Sequence, residues 1–351
     1  MISKLNISKS SVVLFGLGFI LPILLVGGSG RSAQTIMIDI GTIGGRYSQA
    51  NGINNRGQVV GYSTTRFPAF LDEITPWHAF VWENGKWTDL GTLGGPNSNS
   101  VAAGINDGGQ VVGWYDFGDP VQTHAFLWQD GKMTDLGTLG GTVVQAYAIN
   151  NRGQVVGTST TANGYSHAFL WENGKMTDLG TLGGQTSAAG TINDQGQVVG
   201  TSNTADGTSH MFVWENGKMA DRGVLPGWSI SSVMGVNNRA QVVGYLFYRI
   251  GYVEGFLWDN GTLRTLGSLG GSWTMANKVN NRGQVVGNSA IAGGYQHAFL
   301  WEKGEMIDLG TLGTVGDEQS WAYAINESGD VVGAGDAADG RHAFVARVGR
   351  R

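Results

Sequence analysis

All six histidines of this chain occupy one position of a recurring motif: His78, His124, His167, His210, His297 and His342. An aspartate recurs with them at Asp39, Asp89, Asp135, Asp178, Asp221 and Asp308, two residues before a glycine, and Thr265 breaks the series. Imidazoles are metal ligands and carboxylates are acid–base groups, so both sets invite a chemical reading. Three acid pairs, Asp72/Glu73, Asp116/Asp119 and Asp317/Glu318, have the composition for calcium or for paired acid and base. The Gly-Thr-Leu-Gly-Gly loops resemble phosphate cradles.

Each of these readings meets a physical objection. One histidine per repeat puts successive imidazoles about 10 Å apart, the spacing of packed sheets, whereas zinc needs its nitrogens at about 2.0–2.1 Å. The recurring aspartates suit turn or inter-repeat hydrogen bonds. The glycine loops lack the Gly-Lys-Ser/Thr ending of a phosphate loop, and isolated loop acid pairs are ordinarily solvated. No Gly-x-Ser-x-Gly, no His-Glu-x-x-His and no helix-hand calcium loop is present. The sequence therefore predicts no catalytic set, no metal site and no cofactor.

The elements that carry these residues are repeats. The glycine after the Asp-containing dipeptide stands at Gly41, Gly91, Gly137, Gly180, Gly223, Gly267 and Gly310, stepping by 50, 46, 43, 43, 44 and 43 residues. A period of about 40–50 residues with several strands per unit points to a propeller. Each unit offers four short stretches, as in Ala146–Asn150, Gln154–Gly157, His167–Trp171 and Lys175–Gly180. None is long enough for a helix, and the β-branched second stretch suits a strand. Asn173-Gly174 predicts a type I′ hairpin between the third and fourth strands. Asn150-Asn151-Arg152-Gly153-Gln154 reads as a type I turn with a left-handed glycine and a bulge. The third strand is apolar on both faces, as a strand sandwiched between neighbouring sheets must be. Six units carry a Trp there and the seventh has Ala346, a thin place in the ring.

The chain starts on a fourth-type strand at Thr35–Ile40 and ends on a third-type strand at Arg341–Val345. The predicted fold is therefore all-β: a seven-bladed propeller of four-stranded antiparallel blades over residues 34–351, closed by the N-terminal strand completing the last blade.

Residues 1–33 stand outside the repeat. Lys4 and Lys9 precede an apolar run from Val12 to Val26 and the small residues Gly27–Gly30, the layout of a secretory signal peptide or an uncleaved anchor. Loss of Lys4, Lys9 and Arg31 with this leader takes the net charge from −5 to −8. That balance argues against nucleic acid and anionic membrane surfaces as partners. The absence of cysteine fits export without disulfides.

His-Ala-Phe stands at His78–Phe80, His124–Phe126, His167–Phe169, His297–Phe299 and His342–Phe344, altered to His210-Met211-Phe212 and Glu254-Gly255-Phe256. With Asn-x-x-Gly-Gln-Val-Val-Gly and Asp-Leu-Gly-Thr-Leu-Gly-Gly, it resembles the bacterial exported repeat family named for the His-Ala-Phe motif. The resemblance covers everything after the leader. It implies a secreted or periplasmic protein and brings no catalytic residues to carry over.

Function is expected where the copies disagree. The two-to-three and four-to-one loops share one rim and diverge most, bringing Phe67, Phe70, Trp77, Trp114, Tyr115, Trp228, Tyr248, Tyr252, Trp273 and Trp321. Exposed aromatics there suit sugar stacking or a protein contact. The expectation is a non-catalytic binding protein for a glycan or protein. The alternatives are a structural surface protein, or a glycan hydrolase or lyase using acids such as Asp116 or Glu318. Against the last, the Ser-x-Asp-x-Gly-x-Thr-Trp boxes of propeller sialidases are missing.

Overall fold

The computed structural model describes residues 35–66, 75–95, 97–117, 122–223, 230–249, 251–313 and 318–349. The leader and the insertion holding Phe67 and Phe70 lie outside these, as does Trp228. Among the described residues every regular element is a strand, and no helix is long and apolar enough to cross a membrane.

Each repeat folds as an antiparallel meander. In one, Gly183–Ile192, Val198–Thr204, Ser209–Glu215 and Lys218–Asp221 pair in sequence order. The first three connections are the hairpins that the turn residues require. Asn173 and Gly174 have φ of 53° and 79°, as a type I′ turn demands, and Gly153 has φ of 78° at the bulge position of the other turn. A bulge in each first strand, such as that between Ala146 and Ala148, swings a carbonyl over the facing strand. A Cβ on Gly157 would overlap the Gln145 carbonyl, which explains the glycine of Gln-Val-Val-Gly.

Phenylalanine builds the core. Phe80, Phe126, Phe169, Phe212, Phe256, Phe299 and Phe344 are all fully buried, including the two from altered motifs. Each packs across to the preceding meander: Phe212 against Ala148, Val156 and Leu170, and Phe126 against Val60, Ala79 and Val81. Such a ring is worth roughly 1.5–3 kcal/mol of burial. The same pattern joins the chain ends, because Phe80 packs with Ile40, Val332 and Val345. There Thr35–Gly41 pairs antiparallel with Gly340–Val348, placing Met37 opposite Ala346.

Buried asparagines tie the meanders at the one-to-two turns. The Asn54 amide donates to the Asn106 carbonyl at 3.0 Å, and Asn106 to Asn150 at 3.1 Å. Asn150, Asn193, Asn237 and Asn280 each repeat this donation to the next at 2.9–3.1 Å. Asn326 returns it to the Asn54 carbonyl at 3.2 Å. A second circuit lies beside the first: the Asn55 N–H donates to Asp107, and so on through Asn151, Asp194, Asn238, Asn281 and Glu327 back to Asn55.

Candidate functional site

The recurring histidines and aspartates meet each other. In six units the Nδ1 of the third-strand histidine lies 2.5–3.1 Å from the carboxylate at the end of the fourth strand: His78–Asp89, His124–Asp135, His167–Asp178, His210–Asp221, His297–Asp308 and His342–Asp39. The same carboxylate accepts the N–H of the glycine two residues on, as Asp178 does from Gly180 at 2.8 Å. Sequence reading treated the two residues separately and so missed that each is the other's partner. The signal was available, because the unit lacking the histidine (Glu254) is also the unit lacking the aspartate (Thr265).

These pairs brace the sheet. Burial alone would raise the Asp89 and Asp135 carboxyls. Hydrogen bonds outweigh it and hold both below the ordinary range: from His78 and the Gly91 N–H for Asp89, and from Tyr115, His124 and the Gly137 N–H for Asp135. His342 is raised, chiefly by its bond to Asp39 and, after burial that opposes it, by the charges of Asp39 and Asp339. Its Nε2 lies 3.2 Å from Asp339, within ion-pair reach, though not aligned as a hydrogen bond. Among the described residues no cluster of three metal-ligating side chains exists. Serines are committed elsewhere: the Ser187 hydroxyl donates to the Gly180 carbonyl at 2.6 Å and accepts the Ala168 N–H at 2.9 Å.

The rim aromatics divide. Trp77 and Trp273 are exposed, at 41% and 40%, as is Tyr252, whose hydroxyl donates to Glu254. Trp114 and Trp321 are half-buried. Tyr248 lies on a strand, and its side chain is outside the described residues. Tyr115 does not belong to a ligand surface: it is 3% exposed, packs in the core beside Phe126, and donates to Asp135 at 2.7 Å. Its alternation with Trp114 along one strand turns it inward. Phe117, at 45% exposure, stands at that edge instead, 5.4 Å from the Tyr115 ring.

Two of the predicted tryptophans have defined partners, Trp77 on the first meander and Trp321 on the last. Trp77 stacks obliquely on Tyr62 at 6.0 Å between ring centroids. The Tyr62 hydroxyl donates to Gln49, whose amide donates to Asn51 at 2.8 Å. Within the last meander, the Arg341 guanidinium lies 4.1 Å over the Trp321 ring. Trp321 Nε1 donates to Gln296 at 2.9 Å, and Asn288 donates to the same oxygen. Burial raises the Tyr62 phenol and, with the nearby Tyr62, pushes Tyr323 up to about 12, while the Arg341 charge opposes both rises. Sequence reading missed Tyr62, Arg341, Tyr323 and Gln296. Tyr62 occupies the strand position held elsewhere by Trp114, Thr158, Thr201, Tyr245, Asn288 and Ala334, so disagreement between copies would have found it.

The opposite rim holds a cavity of about 160 Å³ lined by the asparagine turns. Lys278 reaches its wall where other units carry Gly52, Gly104, Ala148, Thr191, Gly235 and Ala324, and burial lowers its ammonium pKa. Asp116 is nearly buried and accepts both the Asn99 N–H and its amide. Of the other acids in these pairs, Asp72, Glu73, Asp119 and Asp317 lie outside the described residues.

No protein-family model matches the chain, and no curated protein is similar to it by sequence. Among solved structures it is similar to the β-propeller domain of the Trilobed protease from Pyrococcus furiosus, with a TM-score of 0.59 and 10% identity over 86% of this chain and 95% of that one. It is also similar to a puromycin-hydrolyzing peptidase of Mycobacterium tuberculosis, with a TM-score of 0.57 and 13% identity over 87% of this chain and 53% of that. A prolyl endopeptidase gives a TM-score of 0.53 at 12% identity over 84% and 46%. The chain spans about half the length of these two peptidases. Likeness at such identity is one of fold: the chain is an all-β β-propeller.

Proposed function

We propose that this chain is an exported, non-catalytic seven-bladed propeller that binds a glycan across the seam where its first and last blades meet. The asparagine circuit supports seven blades and closure, since it passes through seven turns and returns to Asn54. Pairing of residues 35–41 with 340–348 supports a ring fastened by the N-terminal strand; the Pyrococcus domain, by contrast, is described as having an open velcro topology. Export, and membership of the His-Ala-Phe repeat family, rest on the leader and the motif.

The observation that carries the binding reading is the Trp77–Tyr62 and Trp321–Arg341 pairing, set among the amides of Gln49, Asn51, Gln296 and Asn288. Flat apolar faces stack on sugar rings, while amides supply directional partners for hydroxyls. A hydrolase on the same rim would need two acids across the scissile bond, about 5–9.5 Å apart. Asp116, one of the acids named from the sequence, is nearly buried and accepts two hydrogen bonds from Asn99.

A glycan array followed by calorimetry tests the assignment. The wild type binds at least one glycan class, Trp77→Ala and Trp321→Ala each weaken binding about tenfold or more, and Phe117→Ala leaves it unchanged. Equal binding by all four proteins would remove the seam as the site.

A further inference from the structure

We infer that Lys278 is a covalent capture site, whose side-chain amine condenses with a short neutral aldehyde held in the cavity at the asparagine turns. This inference is separate from the glycan reading and does not depend on it.

The cavity is built by repetition and interrupted by one residue. Five isoleucines and two valines, one from the first strand of each meander, line it together with the asparagine turns. Asp107, Asp194 and Glu327 add carboxylates, each accepting a backbone N–H from the turn before it, those of Asn55, Asn151 and Asn281. Lys278 is the one cation among the lining residues. It lies opposite the second valine of a Val-Val pair, where the other units place Gly52, Gly104, Ala148, Thr191, Gly235 and Ala324. None of those six lines the cavity, so it is the Lys278 side chain, not its backbone, that reaches the space. Glycine and alanine fill the same place elsewhere, so packing does not require a lysine.

A buried ammonium is ordinarily paired. Burial lowers the pKa of Lys278, and neither a charge nor a hydrogen bond acts against that shift. More of this amine is therefore neutral than on a surface lysine, and the neutral form carries the lone pair that attacks a carbonyl. The other described lysines, Lys86, Lys132, Lys175, Lys218 and Lys303, are all exposed. In the step inferred, the nitrogen lone pair forms a bond to the aldehyde carbon while the C=O π pair moves to oxygen. That oxygen takes one proton from nitrogen. The hydroxyl then leaves with the second nitrogen proton as water, and a C=N bond remains. The condensation consumes no oxidant, reductant or cofactor. The cavity selects the partner: about 160 Å³ has room for about five water-sized groups. Its aliphatic wall suits a carbon chain, and three carboxylates oppose an anionic aldehyde. A neutral aldehyde of about three to five carbons meets these conditions.

The test treats the folded chain with butanal and cyanoborohydride near neutral pH, which reduces the imine to a stable secondary amine, and locates the label by peptide mass spectrometry. Lys278 is expected to react about tenfold or more faster than any of the five exposed lysines, since each unit of pKa lowering multiplies the neutral share about tenfold. Its rate should saturate with butanal concentration, and butan-1-ol, of similar size without the carbonyl, should protect Lys278 alone. Glyoxylate, small but anionic, should show no preference for Lys278. In Lys278→Ala, which installs the residue two other units carry, the fast label is lost while melting shows the protein folded. Labelling of Lys278 no faster than the exposed lysines overturns the inference, as does fast labelling with neither saturation nor protection. A preference for glyoxylate over butanal overturns the ligand class. No glycan enters these measurements, so their failure leaves the glycan reading as it stands.

Discussion

The two rims of this propeller are built on opposite principles. At the one-to-two turns every unit repeats the same asparagine, and each amide is consumed by its neighbour: Asn150 donates to Gln154 and Asn193 and accepts from the N–H groups of Arg152 and Gln154. At the other rim the equivalent strand ends carry Tyr62, Trp114, Thr158 or Asn288, and their polar groups form short local ladders. Saturated hydrogen bonding leaves the asparagine amides themselves unavailable to a ligand. Divergence leaves room for one, so the repeating rim reads as scaffold and the varying rim as site.

The sharpest way to break this comparison is at the seam, which both rims depend on. Deleting residues 35–43 removes the strand facing Gly340–Val348, the Ile40 side chain from the core beside Phe80, and the Asp39 partner of His342. It also exposes the edge of the last meander. The expected result is a fall in melting temperature of at least about 5 °C, on the scale where 1 kcal/mol shifts a domain of this size by a few degrees or less. Cooperative melting at the wild-type temperature would show that the first strand fastens nothing.

Next in size is Asn150→Ala. Asn150 is 3% exposed, and four hydrogen bonds end on its side chain, so truncation leaves the Asn193 carbonyl and two N–H groups without their partner. The expected loss is about 2–4 kcal/mol in urea unfolding. Trp77→Ala, at 41% exposure on the other rim, should cost about 0.5 kcal/mol or less. A reversed order would mean that the varying rim, not the asparagine turns, carries the scaffold.

What the sequence revealed follows the same division. Periodicity exposed the strands, the type I′ and bulge turns and the buried phenylalanines, because each is decided within one unit by backbone and burial. It did not expose contacts between units. The asparagine turn was legible as a turn, yet its amide partner stands 43 residues away in one case and 272 in another. Tyr115 was misread because a single residue of offset on a strand exchanges inside for outside. Arg341 was read only as the start of a strand; its contact with Trp321 lies two strands away in the same meander. Ala240 marks a departure from local rules, holding a left-handed φ of 58° where other units place glycine. The unit it belongs to is also the one without a histidine–aspartate pair.

The smallest effect expected is on pH dependence, at the pair that joins the chain ends. His342 has its pKa raised above 6.5 in the folded protein, first by the bond to Asp39. A base so raised contributes stability that is fully present below its unfolded pKa and is lost as pH climbs through the folded value. Unfolding free energy should therefore decline between about pH 6 and 8 by more in the wild type than in His342→Asn. In that variant the amide can donate where Nδ1 stood, but it does not titrate. The measurement is urea unfolding at four or five pH values across that window. Parallel curves for the two proteins would mean that the His342–Asp39 contact stores no proton-linked stability. That pair would then have to be regarded as geometry alone.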